Sequence, residues 1–555
     1  MTNALKIALA QLNPTVGAVA RNLATARKAR AEAARLGADL VLFTELYMSG
    51  YPPEDLVLKP SFVTTCMEAV RELARDTADG GPAVLVGTPW EEGGKVYNAV
   101  VLLDEGKVAS QRFKHDLPNY GVFDEKRVFA VGPAPGPMSF RGVRLGVPIC
   151  EDIWTEEVCE TLVETGAEFL LVPNGSPYEK EKDDVRLNIA VARVTETGLP
   201  IAYVNQVGGQ DELVFDGASF ALNGDRSLAL QMPSFAEAIA LTEWRRGNSG
   251  WRMMPQPAAP VPDGVESIWL ACVLGLRDYV TKNNFPGVVL GLSGGIDSAV
   301  VAAMAVDALG PGRVHCVMMP YRFTSEDSIA DAAACAAALQ VRYDVVPIAP
   351  PAEGFERALA PLFDGTPRGT TEENLQSRAR GTILMAISNK FGSMVLTTGN
   401  KSEMSVGYAT LYGDMNGGYN PIKDVYKTEV YALARWRNRT RPPDALGPEG
   451  PVIPERILTK APTAELRANQ KDQDTLPPYD VLDAILRELV ENERSVSDVV
   501  AMGHDRATVE RVQHLLFLAE YKRRQAAPGV KITRRNFGRD RRYPVTNGFR
   551  DEAPR

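Results

Sequence analysis

The sequence lacks the usual signatures of secreted, membrane-spanning and zinc-binding proteins. Its 555 residues include only six cysteines, and no two of them form a Cys-x-x-Cys pair, which fits neither a disulfide framework nor a zinc ribbon. Uninterrupted apolar runs of about 18 residues, the length that a membrane helix needs, are absent. No charged and then apolar leader precedes the first strand pattern. These absences predict a cytoplasmic protein without membrane contact.

An excess of positive charge is also absent. The formal net charge at pH 7 is −9, which argues against a broad nucleic-acid-binding surface but leaves room for a local basic site. One run, 531–543, mixes cations with aromatic residues, as nucleic-acid-binding segments do. On a chain of this charge we expect the run to fold back onto the protein. The sequence therefore predicts small-molecule substrates and no nucleic-acid partner.

The length and composition predict a globular protein of more than one domain. At a typical size of about 150 residues per domain, the chain suggests roughly two to four units, and 45% hydrophobic with 24% charged residues are ordinary values for a folded protein. Repeated prolines at 252–264 disfavour a helix and favour an extended connector. We predict a domain at 1–250, a proline-rich linker at 251–264 and a second domain at 265–555.

A glycine-rich loop organises the second predicted domain. It reads Leu-Ser-Gly-Gly-Ile-Asp-Ser over 292–298, after an apolar strand pattern and before a helical pattern at 297–309. Consecutive glycines let the backbone approach a ligand closely, and the unpaired N–H groups at the start of the helix favour an anion. A Walker loop would carry a lysine before its Ser or Thr, and this loop has none. The pattern predicts a phosphate site of another type.

This loop resembles the SGGxDS loop of the ATP pyrophosphatases, which split ATP into AMP and pyrophosphate. The alternating strand and helix patterns at 313–339 and 374–398 predict a Rossmann-like α/β domain with a parallel sheet and ligands at the carboxyl ends of the strands. Asp297 and Glu403 are the natural carboxylate pair for a Mg²⁺ ion that bridges the phosphates of ATP. Four cations are expected near the polyphosphate: Arg378, Arg380, Lys423 and Lys427.

Three reactive side chains follow strand patterns in the first half of the chain. Glu45, Lys114 and Cys150 come directly after apolar segments. In their local motifs they resemble the triad of the nitrilase superfamily, whose members cleave carbon–nitrogen bonds through a cysteine thioester. The resemblance implies a nitrilase-like α-β-β-α sandwich. The chemistry suits these residue types, with Cys150 as nucleophile, Glu45 as general base and Lys114 as the cation that stabilises the oxyanion.

Further motifs narrow the family. They read Glu-Glu-Asn-Leu-Gln-Ser-Arg-Ala-Arg at 372–380, Thr-Thr-Gly-Asn-Lys-Ser-Glu at 397–403, Pro-Ile-Lys-Asp-Val-Tyr-Lys-Thr at 421–428 and Glu-Tyr-Lys-Arg-Arg-Gln at 520–525. With a nitrilase-like domain in front, the chain resembles the glutamine-dependent NAD synthetases essentially from end to end. The resemblance implies that the first domain hydrolyses glutamine and the second adenylates the nicotinate carboxylate of deamido-NAD with ATP. Ammonia would then displace AMP, and the products would be NAD, AMP, diphosphate and glutamate. Enzymes of this kind are expected to form homo-oligomers.

The same resemblance implies roles for individual residues. Tyr120, Ser176 and Lys182 would bind glutamine, and Asn374, Glu403 and Lys522 would bind deamido-NAD. The residues implied for ATP are Gly291, Leu292, Ser293, Gly294, Gly295, Ile296, Asp297, Ser298, Thr398 and Lys427. Glu403 is thus assigned to the dinucleotide by resemblance and to the metal by charge, and the sequence leaves both roles open.

Other interpretations fit the sequence less well. A glutaminase with a terminal nucleophile would need cysteine at position 2, where Thr2 stands, and none of the four histidines lies in the context of a Cys–His glutaminase. A catalytically inactive nucleotide-sensing module would have no need of the three reactive side chains or the complete loop. Two segments that carry proline and glycine, 347–367 and 437–455, are predicted as loops, either mobile lids or inert surface.

Overall fold

The computed structural model describes residues 3–248, 250–549 and 551. The chain forms two units, Met1–Asp263 and Gly264–Arg555, and each has its own hydrophobic core. None of the helices in the described ranges combines the length and the apolar character that crossing a membrane requires.

The first unit is built from two large β-sheets and a two-stranded sheet, β10-β11. Its strands are β1 (Ala4–Gln11), β2 (Leu40–Leu42), β3 (Ala83–Glu92), β4 (Lys95–Asp104), β5 (Lys107–Phe113), β6 (Met138–Phe140), β7 (Val143–Gly146), β8 (Phe169–Asn174), β9 (Ile201–Asn205), β10 (Val207–Gln210), β11 (Leu213–Asp216), β12 (Phe220–Leu222), β13 (Leu228–Gln231), β14 (Ala238–Gly247) and β15 (Gly250–Met253). A seven-stranded sheet has the order β15-β14-β1-β2-β3-β4-β5, and a six-stranded sheet has the order β13-β12-β9-β8-β7-β6. The central strands β1, β2 and β3 are parallel, as are β7, β8 and β9.

Helices cover the outer faces of both sheets. They are α1 (Val19–Leu36), α2 (Pro60–Asp76), α3 (Glu125–Val128), α4 (Glu157–Glu164) and α5 (Lys182–Thr197). One core lies between the sheets and includes Ile7 of β1 and Leu171 of β8. A second core joins α1 and α2 to the seven-stranded sheet, and a third joins α4 and α5 to the six-stranded sheet. The predicted α-β-β-α sandwich is confirmed.

The second unit contains a four-stranded parallel sheet. Its strands are β16 (Val288–Gly291), β17 (Val314–Met318), β18 (Arg342–Val345) and β19 (Met394–Val395), in the order β18-β17-β16-β19. Its helices are α6 (Gly264–Lys282), α7 (Ile296–Leu309), α8 (Glu326–Leu339), α9 (Ala349–Leu359), α10 (Thr370–Phe391), α11 (Lys401–Val406), α12 (Lys427–Arg439), α13 (Glu455–Thr459), α14 (Tyr479–Leu486), α15 (Val496–Ala501), α16 (Arg506–Leu518) and α17 (Glu520–Arg523). This alternation confirms the predicted parallel α/β domain.

Both predicted loops are wrong in part. The segment 347–367 contains helix α9. Its Pro350 lies in the first helical turn, where backbone N–H groups have no partner within the helix, so a proline is tolerated there. The segment 437–455 begins inside α12, where Arg437 is fully buried. Its guanidinium pairs with Asp307 at 2.7 Å and donates to the Pro448 carbonyl at 2.8 Å. That segment is therefore fastened to α7.

Several strands end earlier than the apolar patterns suggested. Strand β2 ends at Leu42, β7 at Gly146 and β19 at Val395. The next residues leave the ladder while remaining buried. Reactive residues consequently lie in turns beyond the sheet edges, where side chains from several strands meet.

Candidate active sites

A buried ion pair forms the centre of the first site. Glu45 follows β2 and Lys114 follows β5, and both side chains are fully buried. The Lys114 Nζ lies 2.7 Å from the Glu45 Oε1, which also accepts a hydrogen bond of 2.8 Å from the Asn98 amide. The backbone N–H of Gly175 donates to the second Glu45 oxygen at 3.0 Å. These three donors replace the hydrogen bonds that the carboxylate would make with water.

A second carboxylate, Glu125 of α3, shares the lysine. Its two oxygens lie 3.0 and 2.9 Å from the Lys114 Nζ, and the Tyr51 hydroxyl donates to it at 2.9 Å. Burial raises the pKa of Glu125 to about 7, because the pull of Lys114 only partly offsets the desolvation and Glu45 adds repulsion. Burial opposes the charge of Lys114, but the two carboxylates outweigh it and hold the pKa of the ammonium well above its ordinary value. The cluster can therefore carry one extra proton near neutral pH.

The thiol of Cys150 adjoins this cluster. Cys150 begins a 3₁₀ turn, Cys150–Ile153, with a backbone φ of 49° and 5% exposure. A left-handed conformation costs a non-glycine residue about 1–2 kcal/mol, so the surrounding contacts hold the nucleophile in place. Burial and the charge of Glu45 raise the pKa of the thiol well above its ordinary value, although the positive charge of Lys114 opposes this. A neutral thiol in this position needs a base to become a nucleophile.

The three residues expected to bind glutamine lie along the segments next to this thiol. The Tyr120 hydroxyl donates to Glu151, the neighbour of Cys150, at 2.9 Å, and the Tyr120 side chain is about half exposed. The Lys182 Nζ lies 5.9 Å from the ring centre of Phe123, which packs against Tyr120. Ser176 follows Gly175, and its backbone N–H donates to Asn205 at 2.9 Å. Tyr120 and Lys182 thus contact the same ring, Phe123, and Tyr120 is partly exposed, whereas Ser176 is buried.

The second site is a cavity of about 290 Å³ at the carboxyl edge of the parallel sheet. Its lining includes the whole predicted phosphate loop, 291–298, which connects β16 to α7. Gly294 has a φ of 79°, and a Cβ atom there would lie 2.3 Å from the Ser328 carbonyl oxygen, so only glycine fits. The hydroxyls of Ser293 and Ser298 lie 3.1 Å apart across the loop. Loop and helix together make a cradle for an anion.

A lysine lies between the two carboxylates of this cavity. The Lys427 Nζ, at the start of α12, is 2.5 Å from Asp297 and 3.0 Å from Glu403. The second Asp297 oxygen accepts a hydrogen bond of 2.8 Å from the Asn400 amide. Burial raises the pKa of Glu403 to about 8, opposed by Lys427 and assisted by Asp297. The predicted pair does converge, and a protein cation already neutralises part of its charge.

Thr398 lines the same cavity, whereas Asn374 and Lys522 are not among its described lining residues. They meet instead at the neighbouring segment 407–410. The Thr410 hydroxyl donates to Asn374 at 3.0 Å, and the Lys522 Nζ donates to the carbonyls of Gly407 and Ala409 at 2.7 and 2.6 Å. Since Ala409 lines the cavity, these two residues form its outer support.

Comparison with known proteins identifies the family. The carbon-nitrogen hydrolase family matches residues 6–249, and the NAD synthase family matches residues 268–526. The glutamine-dependent NAD(+) synthetase of Rhodobacter capsulatus is 53% identical over 553 residues, with 100% of each chain covered. The chain belongs to the glutamine-dependent NAD(+) synthetases. The Thermotoga maritima member is 42% identical, with 99% of each chain covered.

A solved structure supports the same assignment. The glutamine-dependent NAD+ synthetase of Acinetobacter baumannii, in complex with adenosine diphosphate, is 43% identical and has a TM-score of 0.78, covering 99% of this chain and 100% of that chain. The predicted family, fold class and enzyme class are confirmed. The first unit matches the carbon-nitrogen hydrolases, as predicted, and not a glutaminase with a terminal nucleophile or a Cys–His pair.

In this NAD(+) synthetase the structure adds residues that sequence reasoning missed. Glu125 contacts Lys114 directly, yet it lies in a four-residue helix with no recognisable motif. Lys460 and Glu465 line the cavity of the second unit and lie outside the motifs at 372–380, 397–403, 421–428 and 520–525. Of the four cations expected near the polyphosphate, Arg380 and Lys427 line the cavity. Arg378 and Lys423 are not among its described lining residues.

Proposed function

We propose that Cys150 performs the glutamine hydrolysis of this NAD(+) synthetase. The thiol attacks the carboxamide carbon of glutamine, and its proton passes to Glu45. Lys114 stabilises the oxyanion. Glu45 returns the proton to the amide nitrogen, the carbon–nitrogen bond breaks, and ammonia leaves a thioester on Cys150. Glu45 then takes a proton from water, which attacks the thioester carbonyl and releases glutamate and the thiol. Tyr120, Ser176 and Lys182 hold the amino acid. The observation that supports these roles is the fully buried Glu45–Lys114 pair beside a thiol of raised pKa.

The second unit then carries out the ATP-dependent step. A nicotinate carboxylate oxygen of deamido-NAD attacks the α-phosphorus of ATP, and diphosphate leaves. Ammonia next attacks the activated carbonyl carbon and AMP leaves, which gives NAD. Residues 291–298, Thr398 and Lys427 bind ATP, and Asn374, Glu403 and Lys522 bind or support deamido-NAD. This is supported by the cradle at 291–298 and by the converging polar groups of the cavity.

Asp297 and Glu403 would also hold Mg²⁺. Among the described residues, no group of three or more His, Cys, Asp or Glu side chains is placed to enclose a metal. Mg²⁺ usually binds through one or two carboxylates together with substrate phosphates, so this pair fits an ion that arrives with ATP. The ion would neutralise phosphate charge. Lys427, already between the carboxylates, limits their repulsion before ATP binds.

We also propose that the division of labour follows the predicted domains. The glutaminase would occupy 1–250 and the synthetase 265–555, with 251–264 as linker, and the two family matches end and begin on either side of it. The enzyme would work in the cytoplasm as a homo-oligomer, whose mass light scattering would measure.

The decisive experiment supplies deamido-NAD, ATP, Mg²⁺ and either glutamine or ammonium chloride. The wild-type enzyme should form NAD, AMP and diphosphate from both nitrogen sources. Cys150→Ala should lose the glutamine-driven activity and retain the ammonium-driven activity, because the thiol serves only the first unit. Cys66→Ala, a buried cysteine of α2, is the matched control and should retain both. Loss of both activities in Cys150→Ala alone would contradict the assignment.

A further inference from the structure

A small anion-binding pocket adjoins the phosphate loop. Ser328, in the first turn of α8, contacts the loop directly, since its carbonyl oxygen lies against Gly294. The Lys460 Nζ is hydrogen-bonded to the Ser328 hydroxyl. Lys460 and Ser328 both line the cavity that holds the loop. A hydroxyl and an ammonium therefore extend the cradle beyond the loop itself.

The carboxylate of Glu465 occupies this pocket. One of its oxygens accepts hydrogen bonds from the Ser325 hydroxyl at 2.7 Å and from the Ser328 hydroxyl at 2.8 Å. The same oxygen lies 4.0 Å from the Lys460 Nζ. Two hydroxyls and a cation around one carboxylate oxygen are also suitable partners for a phosphate oxygen. The protein's own anion thus occupies a polar pocket in direct contact with the phosphate loop.

The charge distribution of the cavity favours a ligand at Lys460. Among the described residues, three cations line the cavity, namely Arg380, Lys427 and Lys460. Lys427 lies between two carboxylates at 2.5 and 3.0 Å, and the Arg380 Nε donates to a backbone carbonyl. Lys460 has its nearest carboxylates only at 4.0 Å. Lys460 is therefore less closely paired with carboxylates than Lys427 is, and its ammonium can take an anionic ligand.

We propose that Lys460, Ser325 and Ser328 bind the terminal phosphate of ATP and the departing diphosphate, and that Glu465 fills this pocket until ATP displaces it. The inference rests on the proposed role of residues 291–298 in ATP binding. Displacement involves no covalent step. The carboxylate yields its hydroxyl and ammonium partners to a phosphate oxygen of greater negative charge, and diphosphate leaves through the same contacts.

Two variants test the pocket from opposite sides, with ammonium as nitrogen source so that the glutaminase plays no part. A hydrogen bond to a charged group contributes about 1.5–3 kcal/mol, so Lys460→Met should raise the KM for ATP roughly 10- to 150-fold and weaken product inhibition by inorganic diphosphate. Lys460→Arg should restore much of both. Glu465→Gln removes the competing charge and should lower the KM for ATP, by roughly fivefold for about 1 kcal/mol. The KM for deamido-NAD should stay unchanged throughout.

Matched controls are Lys390→Met at the exposed end of α10 and Glu326→Gln at the exposed start of α8. An ATP KM in Lys460→Met equal to that of Lys390→Met would overturn the inference, as would a change confined to the KM for deamido-NAD. A raised ATP KM in Glu465→Gln would show that the carboxylate helps to bind ATP rather than competing with it. Thermal unfolding identifies any variant that fails to fold. If Lys460→Met is such a variant, the KM values for ATP of Lys460→Arg and Glu465→Gln still test the proposal. Wild-type enzyme that makes no NAD would refute the proposed function instead.

Discussion

Asp152 joins the two backbone segments that carry Lys114 and Cys150. One of its carboxylate oxygens accepts the N–H groups of His115 and Asp116 at 3.0 and 2.7 Å, and the other accepts the N–H of Ile149 at 2.9 Å. The side chain is almost completely buried. It therefore fixes Lys114 relative to Cys150. If these two residues have the proposed roles, Asp152→Asn should slow glutamine hydrolysis without affecting the ammonium-driven reaction.

The expected magnitude follows from the hydrogen bonds that asparagine can keep. The amide has one acceptor oxygen, so its NH₂ group must face either the Ile149 N–H or the pair from His115 and Asp116. At least one charge-assisted bond is then lost and two donors face each other, at a cost of about 1.5–3 kcal/mol. If misalignment appears mainly in the transition state, kcat/KM for glutamine falls roughly 10- to 150-fold with most of the loss in kcat.

The assay measures glutamate release from glutamine and NAD formation from ammonium in parallel. Asp225→Asn, in an exposed turn of the same unit, is the matched control and should match wild type in both. An unchanged kcat/KM for glutamine in Asp152→Asn would refute the alignment argument. An equal fall in both reactions would also refute it, because a general loss of folded protein would then explain the result.

Two other variants change the lysine–carboxylate clusters of the two units. Burial raises the pKa of Glu125 from the ordinary value of 4.5 to about 7. Between these values the folded protein holds a proton that the unfolded chain has released, so the contribution of Glu125 to stability falls by about 2 kcal/mol as pH rises from about 5 to 7. Glu125→Gln lacks this dependence. Its melting temperature should rise relative to wild type between pH 5 and 8, and a difference that does not vary with pH would contradict the raised pKa. Lys427→Met leaves two buried carboxylates facing each other, which costs about 3–5 kcal/mol. It should abolish ammonium-driven NAD formation in the ATP assay but preserve glutamate release, and retained NAD synthesis would contradict its proposed role.

Local patterns were sufficient to predict the parts of the sites that a single segment builds. The phosphate loop at 291–298 needs only a strand, two glycines and a following helix, and all three are adjacent in sequence. Cys150 was recognisable for the same reason, since its turn directly follows an apolar segment. In both places the backbone geometry is determined within about ten residues, which is the range over which periodicity and turn chemistry act.

The contacts that complete the sites come from distant segments and left no such pattern. Glu125 reaches Lys114 from a short helix, α3, whose sequence reads as an ordinary charged surface. Lys427 reaches Asp297 across 130 positions of sequence, so sequence reasoning paired two carboxylates with a metal and did not foresee the ammonium between them. Helix α9 was missed for a different reason. A proline such as Pro350 indicates a loop unless the start of the helix is already known.

The two sites share an arrangement in which a lysine lies between two carboxylates, and exposure decides what each can do. Burial raises the pKa values of Glu125 and Glu403 to about 7 and about 8, and the second carboxylate of each triad adds to the rise. In the first unit the carboxylates are 0% and 7% exposed, so the surplus charge is met by protons and by the Asn98 and Tyr51 donors. In the second unit both carboxylates are 16% exposed and face the cavity. This difference in exposure agrees with the proposed roles, in which an ion that arrives with ATP binds the second pair and the closed first cluster transfers the proton of the thiol.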